Sequence, residues 1–271
     1  MLRERIISGV ILGVPAMAAV IAGGAWIALG VMGVISVALI EFVHLVARRG
    51  YRAFGGLMLV WGGLFVADRA VPWFGLFGPG TALLLVLSLA WALVRYGQGT
   101  ANAFIGFALT MAGSFYVGWS MAHFVSLRGL EDGLFWTLTV LFSVWIADTV
   151  AYVVGRAMGR VRLAPDVSPQ KTWEGYLGGV ITTPPAIAGL TYAWRALGAS
   201  EAVSPQHGLV IGALVALIAP LGDLGISMLK RHVKTKDTSQ LIPGHGGFLD
   251  RMDALVVAGL IGYYYVTLFA L

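Results

Sequence analysis

The run Ala25-Trp-Ile-Ala-Leu-Gly-Val-Met-Gly-Val-Ile-Ser-Val-Ala-Leu-Ile-Glu41-Phe-Val-His44-Leu-Val46 decides the architecture of this chain. It contains one acid and one histidine, and a helical membrane crossing needs about 20 predominantly apolar residues. Comparable runs lie at 6–23, 55–76, 79–97, 102–126, 134–155, 174–197, 207–229 and 252–271. They are too long, and alternate too little, for the strands of a barrel. The expected fold class is therefore all-α: a polytopic integral membrane protein with about nine transmembrane helices.

Composition agrees. Of 271 residues, 58% are hydrophobic and 11% charged, where soluble domains carry about 25% charge. Nine spans place the termini on opposite sides, and the basic residues sort accordingly. One side holds only Arg69, Arg128 and Arg195 of the eighteen Lys/Arg. The positive-inside bias makes the other side cytoplasmic, with the N-terminus inside and the C-terminus outside the cell membrane. The net charge of +5 thus reflects loop topology, and its spread over several loops argues against nucleic acid as a partner. The absence of cysteine excludes disulfides, thiolate metal sites and a thiol nucleophile. The basic start, followed by an apolar run and Ala16-Met-Ala-Ala19, has features of a cleavable signal. The apolar run outlasts a signal core, so an uncleaved first span is expected.

Chemistry is unevenly distributed. Residues 1–135 read as apolar spans, mainly scaffold, whose small residues suit close helix packing in lipid. Glu41 and His44, one turn apart on the second span, are expected to pair with each other or to line a cavity. Residues 136–271 bring polar groups into the spans and are expected to carry the site, within one membrane domain.

Four constellations carry that expectation. Asp148, Tyr152 and Gly155 share a helix face, and an unpaired acid near a span centre costs about 3 kcal/mol on insertion scales. Asp148 thus either pairs with a base for packing or serves a site. In Ser168-Pro-Gln-Lys171-Thr172-Trp-Glu174-Gly175, Ser-Pro ends an extended segment and starts a turn. Lys171, Thr172 and the helix-start amides could then receive phosphate, or Glu174 could simply be a cap. In Pro220-Leu-Gly222-Asp223-Leu-Gly225-Ile-Ser227, a proline and two glycines loosen the helix around one acid, either as a kink or as a site.

The fourth is residues 227–253, which hold five Lys/Arg, three Asp and two His. Lys230, Arg231, Lys234 and Lys236 form a cationic run, which for Lys230 and Arg231 could also be a snorkelling boundary. Ile242-Pro-Gly-His245-Gly246-Gly247 can form a nest of amides around phosphate. Asp250 and Asp253 share a face at the start of the last span. With Asp223 they offer hard oxygen ligands suited to Mg²⁺.

This stretch resembles the signature of the phosphatidate cytidylyltransferases, or CDP-diacylglycerol synthases. Ser227, Lys230, Arg231, Lys236, Asp237, Pro243, His245, Gly246, Gly247, Asp250, Arg251 and Asp253 occupy its fixed positions. Segments 148–159 and 168–175 resemble upstream blocks of the same family, with Met158 where an aromatic is expected. The resemblance implies CTP plus phosphatidate giving CDP-diacylglycerol plus pyrophosphate. It implies Mg²⁺ on Asp223 and Asp250, a second cation such as K⁺ beside it, and Asp253 in support or on the second metal. Asp223, Asp250, Lys230 and Lys236 are the catalytic candidates. Lys171, Thr172, Ser227, Arg231, His245, Gly246, Gly247, Asp148 and Arg251 are the substrate-binding ones. A homodimer is also implied. A transferase for another lipid phosphate and an ion transporter built on Asp148 and Asp223 are the competing readings.

Overall fold

The computed structural model describes residues 2–239 and 246–271, with side chains from Gly9 onward. The helices are α1 (Leu2–Ala22), α2 (Gly24–Ala47), α3 (Gly55–Ala70), α4 (Phe77–Gly97), α5 (Ala103–Gly113), α6 (Ser120–Gly129) and α7 (Gly133–Met158). After a hairpin of β1 (Arg162–Ala164) and β2 (Ser168–Thr172) come α8 (Trp173–Ala196), α9 (Pro205–Ile218), α10 (Pro220–His232) and α11 (Leu249–Tyr265). A π-helical stretch, Ser114–Trp119, joins α5 to α6 without a break, and another, Val266–Ala270, extends α11.

Each of the nine predicted runs contains a helix, that at 55–76 ending at Ala70, and the chain is an all-α, multi-pass membrane protein. Six described helical stretches are long and apolar enough to cross a bilayer: Gly24–Ala47, Phe77–Gly97, Ala103–Gly129, Gly133–Met158, Pro205–His232 and Leu249–Ala270. Among the described residues, the other three runs are not in this set. The described apolar part of α1 is Gly9–Ala22, α3 has 16 residues, and α8 carries Glu174, Arg195 and two internal prolines. Large side chains lie bare on the helix surfaces, among them Trp26, Leu29, Phe104, Ile181, Tyr192 and Phe269, each at least 65% exposed. Such faces suit lipid, which is as apolar as they are.

The chain forms two compact units. The first comprises Met1–Ser126 with His232–Met252. Its core is packed by Ile35, Leu39 and Leu45 of α2 against Met58, Trp61 and Phe65 of α3, all essentially fully buried. Gly62 allows the approach, since a Cβ there would sit 2.8 Å from Ile35. Trp61 also meets Phe115 of the π stretch edge-on at 5.0 Å.

The second unit comprises Leu127–Arg231 with Asp253–Leu271. Here α7, α8 and α9 pack around the fully buried Trp136, Val140, Ile187, Ile211 and Val215. The α7–α8 seam is made of small residues. A Cβ on Gly175 would lie 2.5 Å from the Ala151 carbonyl, and one on Gly179 would lie 3.0 Å from that of Ala147. Backbones this close leave no room for a larger side chain.

The hairpin corrects one expectation. Ser168-Pro169 does not start a turn; it opens β2, which pairs antiparallel with β1 through Arg162–Thr172 and Ala164–Ser168. The turn falls instead at Pro165-Asp166-Val167.

Candidate active site

Two clusters of polar groups stand out, one in each unit. In the second unit the centre is Lys171, at the end of β2. Thr172, the next residue, is the N-cap of α8, its hydroxyl accepting from the Gly175 amide at 3.2 Å, so the strand passes into the helix at a fixed angle. Glu174 accepts from the Val161 amide at 3.2 Å and ties the start of α8 to the hairpin. Gly155 of α7 makes room for this arrangement, because a Cβ on it would stand 2.9 Å from the Thr172 hydroxyl.

Held there, the Lys171 ammonium pairs with Asp223 of α10 at 2.5 Å, both side chains a little over one-quarter exposed. Ser227, one turn further along α10, donates to the other Asp223 oxygen at 3.1 Å. Asp148 of α7 interacts electrostatically with both Lys171 and Asp223. Asp253 of α11 interacts with Asp223, Asp148 and Lys171. Gly222 explains the meeting of α10 and α11, since a Cβ there would collide with the Asp253 carbonyl. Three acids from three helices therefore share one ammonium. Repulsion among the three carboxyl groups is offset there by Lys171.

Arg231 donates its Nε–H to the Val167 carbonyl at 3.1 Å, which anchors the hairpin turn. Tyr152 is 64% exposed and accepts from Arg156 at 2.9 Å.

The second cluster, in the first unit, surrounds Asp250. Its Oδ2 accepts from the Thr238 amide at 2.9 Å, the Thr238 hydroxyl at 3.0 Å and the Gly247 amide at 3.1 Å. Gly246 has φ of +83°, a backbone that favours glycine. A Cβ on it would be 3.3 Å from Asp250 Oδ2 and 3.4 Å from Asp237 Oδ1. On Gly247 a Cβ would collide with the Thr238 hydroxyl. Lys236 and Arg251 are exposed and Lys230 is half-buried. His245 lies outside the described residues, as do Ile242, Pro243 and Gly244.

Glu41 belongs to this cluster, and the reading of α2 did not foresee it. Of the two readings for Glu41 and His44, the pairing does not form: His44 is exposed, while Glu41 is 4% exposed and bonded to Thr238, Ser239, Phe248 and Leu249. The available signal was the cost of a lone acid within an apolar run, which demands partners from elsewhere.

Comparison with known proteins follows the same pattern. Residues 3–269 match the cytidylyltransferase family. The chain belongs to that family. Among its relatives is the phosphatidate cytidylyltransferase of Brucella abortus biovar 1, 36% identical over 277 residues that cover 99% of this chain and 94% of the relative. The phosphatidate cytidylyltransferase of Bacillus subtilis is 30% identical over 279 residues, 99% of both chains. That of Synechocystis sp. is 36% identical over 203 residues, 75% of this chain and 64% of its own. For a cytidylyltransferase, acids and bases gathered in otherwise apolar helices are where a nucleotide and an anionic lipid would be handled. Among the described residues, no group of three or more His, Asp or Glu side chains is placed to hold a metal ion by itself.

Proposed function

We propose that this cytidylyltransferase converts CTP and phosphatidate to CDP-diacylglycerol and pyrophosphate. The observation that carries the reading is the 227–253 signature within a chain that aligns from end to end with phosphatidate cytidylyltransferases. A phosphatidate oxygen attacks the α-phosphorus of CTP, the bond from that phosphorus to the bridging oxygen breaks, and pyrophosphate leaves. The attacking oxygen is already anionic at neutral pH, so no strong general base is needed. Catalysis is then positioning and charge neutralisation.

Lys171 is suited to hold Asp223 in place and to face a phosphoryl oxygen, with Ser227 fixing the orientation of the same carboxylate. Lys230, Lys236, Arg231 and Arg251 are the cationic candidates for the triphosphate, and Gly246, Gly247 and His245 the candidates for a backbone-and-imidazole cradle. The donor set in the second unit fits Mg²⁺, a hard cation that takes one or two carboxylates and completes its shell with water and substrate phosphate. Asp223, with Asp253 in support, is the candidate ligand set in that unit, Asp250 is the candidate ligand in the signature loop, and a second cation such as K⁺ would balance the remaining charge. Bound there, Mg²⁺ supplies neutralisation of repulsion between two anionic reactants. The gathering of Asp148, Asp223 and Asp253 about Lys171 supports this assignment.

The same reading places the hairpin and the signature loop on the cytoplasmic face of the cell membrane, with the N-terminus inside and the C-terminus outside, and gives the protein a homodimeric state. The deciding experiment follows CDP-diacylglycerol and pyrophosphate from purified protein in detergent with CTP, phosphatidate and Mg²⁺. Product from the wild type, and a loss of about 100-fold or more in Asp223→Asn, are expected. No product across a panel of lipid phosphates from folded protein would overturn the assignment, and turnover confined to another lipid phosphate would change the substrate.

A further inference from the structure

We propose that Glu41 of α2 is a positioning residue for the signature loop, joining the two stretches of chain that flank residues 240–245. The inference rests on the transferase reading above, because it assigns Glu41 a part in that reaction.

The geometry is specific. Glu41 Oε1 accepts from the Ser239 hydroxyl at 2.5 Å and the Phe248 amide at 2.8 Å. Oε2 accepts from the Leu249 amide at 2.8 Å and the Thr238 hydroxyl at 3.1 Å. Two donors precede the 240–245 segment and two follow it, so one carboxylate closes the base of the loop.

The amides it takes are those at the start of α11. A helix start normally finds its acceptor in a Ser, Thr, Asp or Asn of its own chain segment, and Gly247 and Phe248 have none to offer. Glu41 supplies the acceptor from another helix, and its negative charge suits the positive end of the helix dipole.

Thr238 carries the effect onward. Its hydroxyl oxygen stands 3.1 Å from Glu41 Oε2 and 3.0 Å from Asp250 Oδ2, and because a hydroxyl donates one hydrogen the two carboxylates compete for it. The two carboxylates are therefore linked through one group, and moving Glu41 moves the support of Asp250. The absence of a side chain on Gly247 is part of the same packing, since a Cβ there would also come within 2.8 Å of Glu41 Oε2. Arg48 and Arg49, beyond the end of α2, secure the approach to the loop: Arg48 donates to the Thr235 hydroxyl at 2.9 Å and Arg49 to the His232 carbonyl at 2.9 Å. Glu41 is buried behind these groups and acts through them.

The test compares wild type, Glu41→Gln, Thr238→Val and His44→Ala as full-length protein in detergent. It measures kcat and KM for CTP with phosphatidate, together with thermal melting. Glutamine keeps the shape, yet whichever way its amide is turned it presents a donor to either the Phe248 or the Leu249 amide. The expected result is a fall in kcat of about 10–100-fold in Glu41→Gln, with KM for CTP changed less than about threefold and melting close to wild type. Thr238→Val should fall in the same direction, and His44→Ala should match wild type. Wild-type kcat in Glu41→Gln, or a loss only in proportion to unfolded protein, would overturn the proposal. Should Glu41→Gln fail to fold, Thr238→Val decides, and wild-type kcat there would equally overturn it. An inactive wild type would strike the transferase reading itself, which the other outcomes leave standing.

Discussion

Lys171 interacts with Asp223, Asp148 and Asp253 alike, so removing it leaves these carboxylates less well offset. Lys171→Met should destabilise the protein more than Asp223→Asn does. The double variant should be less affected than the two losses added together, by about 1 kcal/mol, with partial solvent exposure limiting the coupling. A double-mutant cycle on thermal melting in detergent measures this, and strict additivity would count against the shared-ammonium arrangement. Gly247→Ala makes a sharper demand, since its methyl would collide with the Thr238 hydroxyl. Turnover should fall by at least about 10-fold, as it does when groups supporting a site are displaced; a near-normal rate would show that the loop adapts. At this scale the sequence was partly legible. Asp223 and Ser227, one turn apart in the run read as a kink or a site, do bond. Glu41 was visible as an isolated acid, but its partners lie about 200 positions away, and no local pattern points that far.

Among the elements, the seam between α7 and α8 offers a direct comparison. Gly175→Ala introduces a methyl 2.5 Å from the Ala151 carbonyl and should cost about 1–3 kcal/mol through forced backbone shifts. Gly189→Ala, in the same helix, meets nothing within 4 Å. It should be neutral or gain up to about 1 kcal/mol from helix propensity. Melting temperatures of the two variants, measured side by side, check the seam, and equal destabilisation would remove its special status. The spans were legible because an apolar run is a local property that survives without tertiary information. The hairpin was not: Ser168-Pro169 carries a strong local turn signal, and what overrides it is pairing with β1 and the Thr172 cap, both contributed by residues outside the dipeptide.

For the whole molecule, orientation is the open quantity, and the lack of cysteine makes it directly measurable. Single cysteines replace Asp166, on the exposed hairpin turn, and Glu201, whose side chain is 95% exposed. With the hairpin cytoplasmic, a membrane-impermeant maleimide applied to intact cells should label Glu201→Cys and leave Asp166→Cys unlabelled until the membrane is opened. The reverse pattern would invert the topology.

The first compact unit is discontinuous, taking Met1–Ser126 and then His232–Met252. A growing chain therefore places α2 in the bilayer long before the residues that bond Glu41 exist, and the gap to Leu249 is 208 residues. Through most of synthesis that acid has none of these donors, and the N-terminal unit, first to be made, is among the last parts to be finished. Late, non-local closure of this kind is slow and leaves incomplete intermediates exposed. A nascent chain stopped before residue 238 would carry an acid in its second span with none of its four donors, a form that membrane quality control has physical grounds to single out.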